Sequence, residues 1–272
     1  MEKTIAEMNP VVQSYENYDE DLRLSADNVR RLEFMTALVY MNKYLKTGES
    51  ILDVAAGTGA YALHFAARGL NVTALDITPS YIEILNQKAL ADGVKITSGV
   101  NDARDLSAFA DNTFDHVFCM GPIYHLTEAE DREKVMAECC RVLKPGGLLY
   151  LAYMNKHFVF AHLASQNKQF LQEKWFRKII EEGVMRSTDE DCFWTDTWFT
   201  TPGEIERIAR ERHLTILHHI SQDGVGRLLA EEINAMRVDD FKRWADFHIR
   251  TCEEPSILGI SNHGLLIGKK AA

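Results

Sequence analysis

Ile51-Leu52-Asp53-Val54-Ala55-Ala56-Gly57-Thr58-Gly59-Ala60-Tyr61-Ala62 runs from a short apolar stretch through two glycines into a helix-spaced pattern. Its first four residues read as a buried strand. Gly57 and Gly59 read as a tight loop whose bare backbone lets a ligand come close. The helix that follows, from about Gly59 to Arg68, presents free N–H groups at its start, and Gly69 stops it. Asn71-Val72-Thr73-Ala74-Leu75 is the next strand, closed by Asp76, 23 residues after Asp53. A carboxylate at the end of that second strand can accept both hydroxyls of a ribose. A glycine pair followed by such an acid points to a nucleotide-bearing ligand more than to a plain turn.

Outward from this stretch the pattern repeats. Pro79 opens a helix to about Ala91, Val94-Lys95-Ile96-Thr97 is a third strand and Phe114 to Met120 a fourth. A helix from Glu128 to Leu143 stops at Lys144-Pro145-Gly146-Gly147, and Leu148 to Met154 is a fifth strand. Strands alternating with helices of this length predict an α/β fold whose parallel sheet is covered on both faces. Residues 1–48 read as helical, with Leu32, Met35, Leu38 and Val39 at helix spacing. Beyond the fifth strand, residues 155–186 read as an aromatic-rich helix and 187–200 as a loop. Thr201-Pro202-Gly203-Glu204 is a capping box opening a helix to about Arg212. Leu214 to Ile220 is a sixth strand, Arg227 to Thr251 is helical, and Gly264 to Lys269 is a last strand. The predicted organisation is a helical lid (1–48), a cofactor-binding core (49–154), and the rest of the sheet (155–272). Insertions at about 155–200 and 222–262 form a helical cap stacked over one sheet edge, all within one continuous domain.

Composition narrows the function. The 272 residues carry 30 Lys+Arg against 40 Asp+Glu, a net charge of -10, which argues against a broad nucleic-acid or anionic-membrane surface. The longest apolar run, Leu148 to Met154, falls far short of the roughly 20 residues of a membrane span. Neither end shows a signal core or a lipidation box, and the five cysteines (119, 139, 140, 192, 252) lack metal-ligand spacing. We therefore expect a cytoplasmic protein with reduced thiols. His213, His218, His219, His248 and His263 match no ligand box, so no metal is expected.

The spacing leaves the cofactor open, because Gly57-x-Gly59-x-x-Ala62 also satisfies a dinucleotide pattern. Three features favour another cofactor. Asp53 sets a carboxylate where an amino group fits and a pyrophosphate is repelled. Asn101-Asp102-Ala103-Arg104-Asp105-Leu106 supplies an acceptor for an adenine amino group, and Phe114 to Cys119 followed by Lys-Pro-Gly-Gly completes the order. Together these segments resemble the class I S-adenosylmethionine-dependent methyltransferases over about residues 49–154. Tyr15 to Phe34, Gly121-Pro122-Ile123-Tyr124-His125-Leu126 and Gly259 to Lys270 look like a bacterial small-molecule branch of that superfamily.

The resemblance implies a Rossmann-like, mostly parallel seven-stranded sheet whose last strand is antiparallel. It implies that Asp53 orients the methionine ammonium of S-adenosyl-L-methionine and that Ala55, Ala56, Gly57, Thr58 and Gly59 wrap the methionine. Asp76 would bind the ribose and Ile77 would pack on adenine. Asp102 would hold the adenine amino group beside Ala103 and Arg104, and Met120 and Gly121 would border the methyl. Ala55 departs from the family, which often has glycine there; alanine is harmless if its φ stays negative. S-adenosyl-L-homocysteine would be the product.

Methyl transfer from a sulfonium asks mainly for proximity and alignment, and needs a base only when the acceptor is poorly acidic. His125, just beyond the fourth strand at the sheet's carboxyl edge, is the candidate base, with Tyr124 beside it as a catalytic or packing residue. Tyr15 and Tyr18 read as a segment folding over the cofactor, and Glu33 and Arg31 as ion-paired lid residues or a solvated face. Trp194, Trp198 and Phe199, with Phe158, Phe160 and Trp175, line an acceptor pocket or fill core. The acceptor is read as a small molecule, its methylated atom (O, N, S or C) left open and no nucleic acid or membrane expected. RNA or protein methylation, an NAD(P)-dependent reductase (though no Tyr-x-x-x-Lys pair is present) and a non-catalytic cofactor-sensing module stay as alternatives. No feature speaks to oligomeric state.

Overall fold

The computed structural model describes residues 9–16, 18 and 20–272. Its main strands are β1 (Ser50–Asp53), β2 (Asn71–Asp76), β3 (Thr97–Val100), β4 (Phe114–Cys119) and β5 (Leu143–Met154). A two-residue pair follows, β6 (Val184–Met185) and β7 (Thr197–Trp198), then β8 (Leu214–Ser221) and β9 (His263–Lys270). The seven-stranded sheet runs β3-β2-β1-β4-β5-β9-β8, with β9 antiparallel to both its neighbours. The chain winds outward from β1 in one direction through β2 and β3, and in the other through β4 and β5. The order reverses between β1 and β4, and a crevice at such a switch point is where open α/β sheets bind ligands.

Strand alternation divides the core. Leu52, Val54, Val117, Cys119, Leu149, Leu151 and Tyr153 face one side with helix Ala129–Val142 and helix Pro202–Glu211. Ile51, Phe118, Leu148 and Tyr150 face the other, against Tyr40 and Met41 of helix Asn28–Met41 and Tyr61 and Phe65 of helix Ala60–Ala66. Both faces are buried, so the strands read as apolar runs with little polar alternation. The capping box forms as expected: the Thr201 side chain accepts from the Glu204 amide, and Glu204 Oε2 accepts from the Thr201 amide at 2.8 Å. Gly264 pairs with Tyr153, and a Cβ built on it would lie 2.3 Å from the Tyr153 ring. That ring is fully buried, and its hydroxyl is 3.0 Å from His219 Nε2. Gly264→Ala should therefore cost about 1–3 kcal/mol or more through overpacking. A denaturant midpoint equal to wild type would show that the ring yields freely.

Several element boundaries differ from expectation. The third strand is Thr97–Val100, three residues late, because the Val94 amide closes the preceding helix end on Ala89 O after left-handed Gly93. Strand β5 starts already at Leu143, and the Lys144-Pro145-Gly146-Gly147 turn is a bulge in its pairing with β4. A Cβ on Gly147 would lie 2.7 Å from Asp115 O, so glycine is required for that close approach.

The 155–186 segment is broken into helices Lys156–Gln166 and Glu173–Phe176 and a wide-wound turn Arg177–Glu182, ending in β6. The 227–251 segment is two helices, Ala230–Asn234 and Val238–Thr251. Among the described residues of the N-terminal region, helix Pro10–Tyr15, a single turn Glu20–Leu22 and helix Asn28–Met41 replace one continuous run. Residues 1–8, 17 and 19 lie outside the described residues.

The two insertions pack in separate clusters. Phe158, Phe170, Trp175, Ile179 and Phe199 close a small core of their own in the first. Ile233, Phe241 and Ala245 of the second pack on Val29 and Leu32 of helix Asn28–Met41. No helix of the described residues is long and apolar enough to cross a membrane.

Candidate functional site

The site is built first by the turn after β1. Gly57 and Gly59 have φ of +54° and +93°, a region that L side chains rarely adopt, and a Cβ on Gly59 would also press on Leu63 and Leu85 at 3.0 Å. Asp76, ending β2, fastens this turn: its two carboxylate oxygens accept from the Gly57 and Thr78 amides, each at 2.8 Å. Burial pushes the Asp76 carboxyl up, and these amide bonds work against that. Asp53, ending β1, is buried with one long contact, 3.4 Å from the Ala55 amide. Burial pushes it up to about 7, and the nearby Asp76 charge adds to the effect. A buried carboxylate with so few partners is the arrangement a cationic group relieves.

A cavity of about 580 Å³ opens beside this turn, within the usual range of small-molecule sites. Ala55, Ala56 and Gly57 form one wall, Asp76 and Ile77 the next, and Asp102, Ala103 and Arg104 the far end. Met120, Gly121, Tyr124, His125 and Tyr15 also border it. Asp53, Thr58, Gly59 and Tyr18 do not. Thr58 instead donates its hydroxyl to Asp21 at 3.0 Å, and Tyr18 is 41% exposed. At the far end Arg104 grips Asp102 (2.6 Å) and Asp131 (2.7 Å) together, which fixes both loops.

The N-terminal segment closes the remaining side, and it carries residues that sequence reasoning missed. Glu20 and Arg23 line the cavity, paired at 2.8 Å, and Glu20 rests against Gly57. Arg23 reaches on to Glu33 at 2.8 Å. The lid pairing of Glu33 is thus with Arg23. Arg31 is exposed and bonds its side chain to Ser25 O. Tyr81 holds the segment down by donating to Tyr15 O (2.7 Å) and Tyr18 O (3.2 Å). Glu20 Oε2 and the Tyr61 hydroxyl are buried without a partner among the described residues, both at the cavity wall.

Past β4, a single turn Pro122–His125 sets His125 and Tyr124 at the cavity. Tyr124 donates to Met120 O at 3.3 Å. His125 Nδ1 lies 3.0 Å from Asp196 O and Nε2 lies 2.8 Å from the Tyr15 hydroxyl. Arg132 braces the following loop by donating to Leu126 O and Thr127 O, its guanidinium 4.2 Å from the Trp198 ring centre. Of the aromatics read as pocket or core, Phe158, Trp175 and Phe199 lie in the first insertion's own core, Phe160 packs on it, and Trp198 joins the sheet core. None of them borders the cavity. Trp194 sets its ring edge on Tyr15 and His125.

Behind the lid lies a second charged group. Asp223 is buried, accepting from the Ser261 hydroxyl (2.7 Å) and the Asn262 amide (3.0 Å), and His263 Nδ1 is 3.2 Å from its other oxygen. Glu33, Asp223 and His263 lie close enough to hold a metal ion, yet Arg23 and Arg227 already bring positive charge to both carboxylates.

Comparison with known proteins agrees with this geometry. Residues 51–147 match the methyltransferase domain family. A ubiquinone biosynthesis O-methyltransferase of Xanthomonas axonopodis pv. citri is 32% identical over 133 residues, 49% of this chain and 52% of that protein. The chain spans about half the length of the curated relatives it matches. An S-adenosylmethionine-dependent methyltransferase of Methanosarcina mazei shares the fold at TM-score 0.59 and 23% identity, covering 85% of this chain and 97% of that one. So does phosphoethanolamine N-methyltransferase 2 of Haemonchus contortus in complex with S-adenosyl-L-methionine (TM-score 0.54, 18% identity, 87% and 52% covered). Over residues 51–147 the sheet core of this chain is thus similar to a methyltransferase domain, and its fold is shared with S-adenosylmethionine-dependent methyltransferases.

Proposed function

We propose that the protein transfers the methyl group of S-adenosyl-L-methionine to a small-molecule acceptor. The observation that carries this over a dinucleotide-dependent reaction is Asp53: a buried carboxylate behind the glycine turn, with one long amide contact and no cation beside it among the described residues. From behind the cavity wall, which it does not itself border, its negative charge favours an ammonium group and repels a pyrophosphate. Glu20 Oε2 and the Tyr61 hydroxyl, unpartnered and buried at the same wall, suit the polar end of an amino acid as well. When bound, the sulfonium supplies an electrophilic methyl.

The chain's own residues hold and align. Asp53, Ala55, Ala56, Gly57, Thr58 and Gly59 shape the methionine end, Thr58 and Gly59 by setting the turn. Asp76 takes the ribose, Ile77 packs on adenine, and Asp102, Ala103 and Arg104 close the adenine end. Met120 and Gly121 border the methyl, while Tyr15, Glu20 and Arg23 cover it; Tyr18, read as part of that cover, lies outside the cavity, its backbone carbonyl held by Tyr81. His125 and Tyr124 stand on the acceptor side. The curated relatives are O-methyltransferases, which favours an oxygen acceptor here. A folded RNA or protein substrate fits poorly, because the N-terminal segment covers the cavity and the chain carries a net charge of -10. The reading places the enzyme in the cytoplasm, in keeping with five unpaired cysteines.

Calorimetric titration of the full chain with S-adenosylmethionine, S-adenosylhomocysteine and NAD(H) tests the cofactor. Both sulfur nucleotides should bind and NAD(H) should not. NAD(H) binding without either of them would move the protein to the reductases. Labelled methyl should then enter a metabolite extract rather than RNA or protein.

A further inference from the structure

We propose that Asp131, and not Asp102, accepts the adenine amino group of the cofactor, and that Asp102 is the positioning residue that fixes Arg104 against Asp131. This rests on the methyltransferase reading of the cavity and adds to it how the nucleobase is read.

A carboxylate offers about four lone pairs, two on each oxygen. At Asp102 a single neighbour takes all four. Oδ1 accepts from the Arg104 amide at 2.9 Å and from Arg104 Nε at 3.1 Å. Oδ2 accepts from the same Nε at 3.1 Å and from Arg104 Nη2 at 2.6 Å. An amino group reaches this carboxylate only by pulling the guanidinium away. Arg104 is also held from its other side, by Asp131 at 2.7 Å from Nη1. A bidentate guanidinium–carboxylate pair is a strong polar contact, and a neutral amino group is a weaker donor than the cation it would replace.

Asp131 is open where Asp102 is full. It stands in the first turn of helix Ala129–Val142 and borders the same end of the cavity. Its Oδ2 accepts from Arg104 and its Oδ1 from Lys134 at 2.9 Å, so each oxygen keeps one lone pair. Lys134 and Arg104 hold the carboxyl below its usual range, so it is charged and its hydrogen bonds are the stronger for it. The other acid at this end, Glu128, is exposed and turned to Arg186 at 2.9 Å. Ile77, Ala103, Leu126 and Val135 supply the apolar surface that a flat purine needs here. Taking the amino group on Asp131 requires no side chain to give up a partner.

Asp102 and Arg104 then work as a unit. Asp102 sets Arg104 in one orientation, and Arg104 pins Asp131 from one side while Lys134 pins it from the other. Loss of Asp102 loosens this end for any purine, whereas loss of Asp131 removes the reading of the amino group.

Calorimetric titration of the full chain with two ligands tests the assignment: S-adenosylhomocysteine, and its 6-deamino analogue with hydrogen in place of the amino group. The wild type should prefer S-adenosylhomocysteine about tenfold or more, the worth of one hydrogen bond to a charged group. In Asp131→Ala this preference should vanish. In Asp102→Ala both ligands should weaken together, with the preference kept. A preference that survives in Asp131→Ala, or that collapses in Asp102→Ala, overturns the assignment. So does a wild type that binds both ligands equally. Arg104→Ala supplies an independent sign, whatever the fold of the Asp131 variant. It should weaken S-adenosylhomocysteine, because Asp131 loses its tether. Tighter binding means that Arg104 had been occupying the cofactor's own acceptor, and overturns the assignment as well. A wild type that binds neither S-adenosylhomocysteine nor S-adenosylmethionine removes the methyltransferase reading itself, whereas a wild type that binds them keeps that reading whatever the variants do.

Discussion

Asp76→Ala is expected to weaken S-adenosylmethionine binding by about 100-fold or more. Two hydrogen bonds from ribose hydroxyls to a carboxylate contribute roughly 1.5–3 kcal/mol each, and each 1.4 kcal/mol is about tenfold. Sequence reasoning alone predicts that this change spares the fold, because a ribose ligand reads as purely functional. The structure corrects that expectation: the same carboxylate anchors the Gly57 and Thr78 amides. Thr78 is buried, so its amide loses its partner with no water to replace it, at a cost of about 1–3 kcal/mol. Gly57 is partly exposed and can rehydrate. Thermal unfolding should therefore fall by several degrees, at roughly 2–4 °C per kcal/mol for a chain of this size. Asp76→Asn is no silent control, since its NH₂ would face an amide donor. Calorimetry on the folded variant is decisive, and an affinity within a few-fold of wild type would remove the ribose from Asp76.

The double role of Asp76 shows what a sequence can and cannot carry. The glycine turn, the acids ending β1 and β2, and the Lys-Pro-Gly-Gly turn are local: a few consecutive residues define a backbone shape, and the shape is legible. Sheet order follows, because helices between strands force parallel neighbours. Position β3 is an edge with one neighbour, the Val94 amide closes a helix end and Ile96 packs on the core ahead of the strand, so an apolar count misplaces the strand. The break at residues 235–237 was legible in principle. Asp239 and Asp240 fall in the first turn of helix Val238–Thr251, where acids favour a start.

Pairings across the chain were not legible. Arg23 and Arg31 are equally good partners for Glu33 on paper, and only the turn at Glu20–Leu22 brings Arg23 inward. The Tyr15–His125 bond joins residues 110 apart, a proximity that no spacing rule encodes.

Asp223 lies furthest from sequence legibility and carries the largest expected effect on stability. Nothing local marks Gln222-Asp223-Gly224, yet the side chain is wholly buried and closes the loop before β9. Burial opposes its charge, and His263, Arg227 and the Ser261 hydroxyl outweigh that, holding the carboxyl well below the usual range. Asp223→Ala would strip the Asn262 and His263 amides and the Ser261 hydroxyl of their acceptor and leave Arg227 with Glu33 as its remaining carboxylate. Removing one partner of a buried charged network typically costs about 3–5 kcal/mol. The sign with pH follows from the depressed carboxyl. Its stabilisation is fully present above the unfolded value of about 4 and is lost as pH falls toward the lower folded value. Wild type and Asp223→Ala should thus differ by a constant, large margin in unfolding free energy at pH 6–8. That margin should shrink below about pH 4, where the unfolded chain begins to take up the proton that native Asp223 refuses. A margin near zero at neutral pH, or one that widens on acidification, would mean that the buried carboxylate is tolerated rather than stabilising.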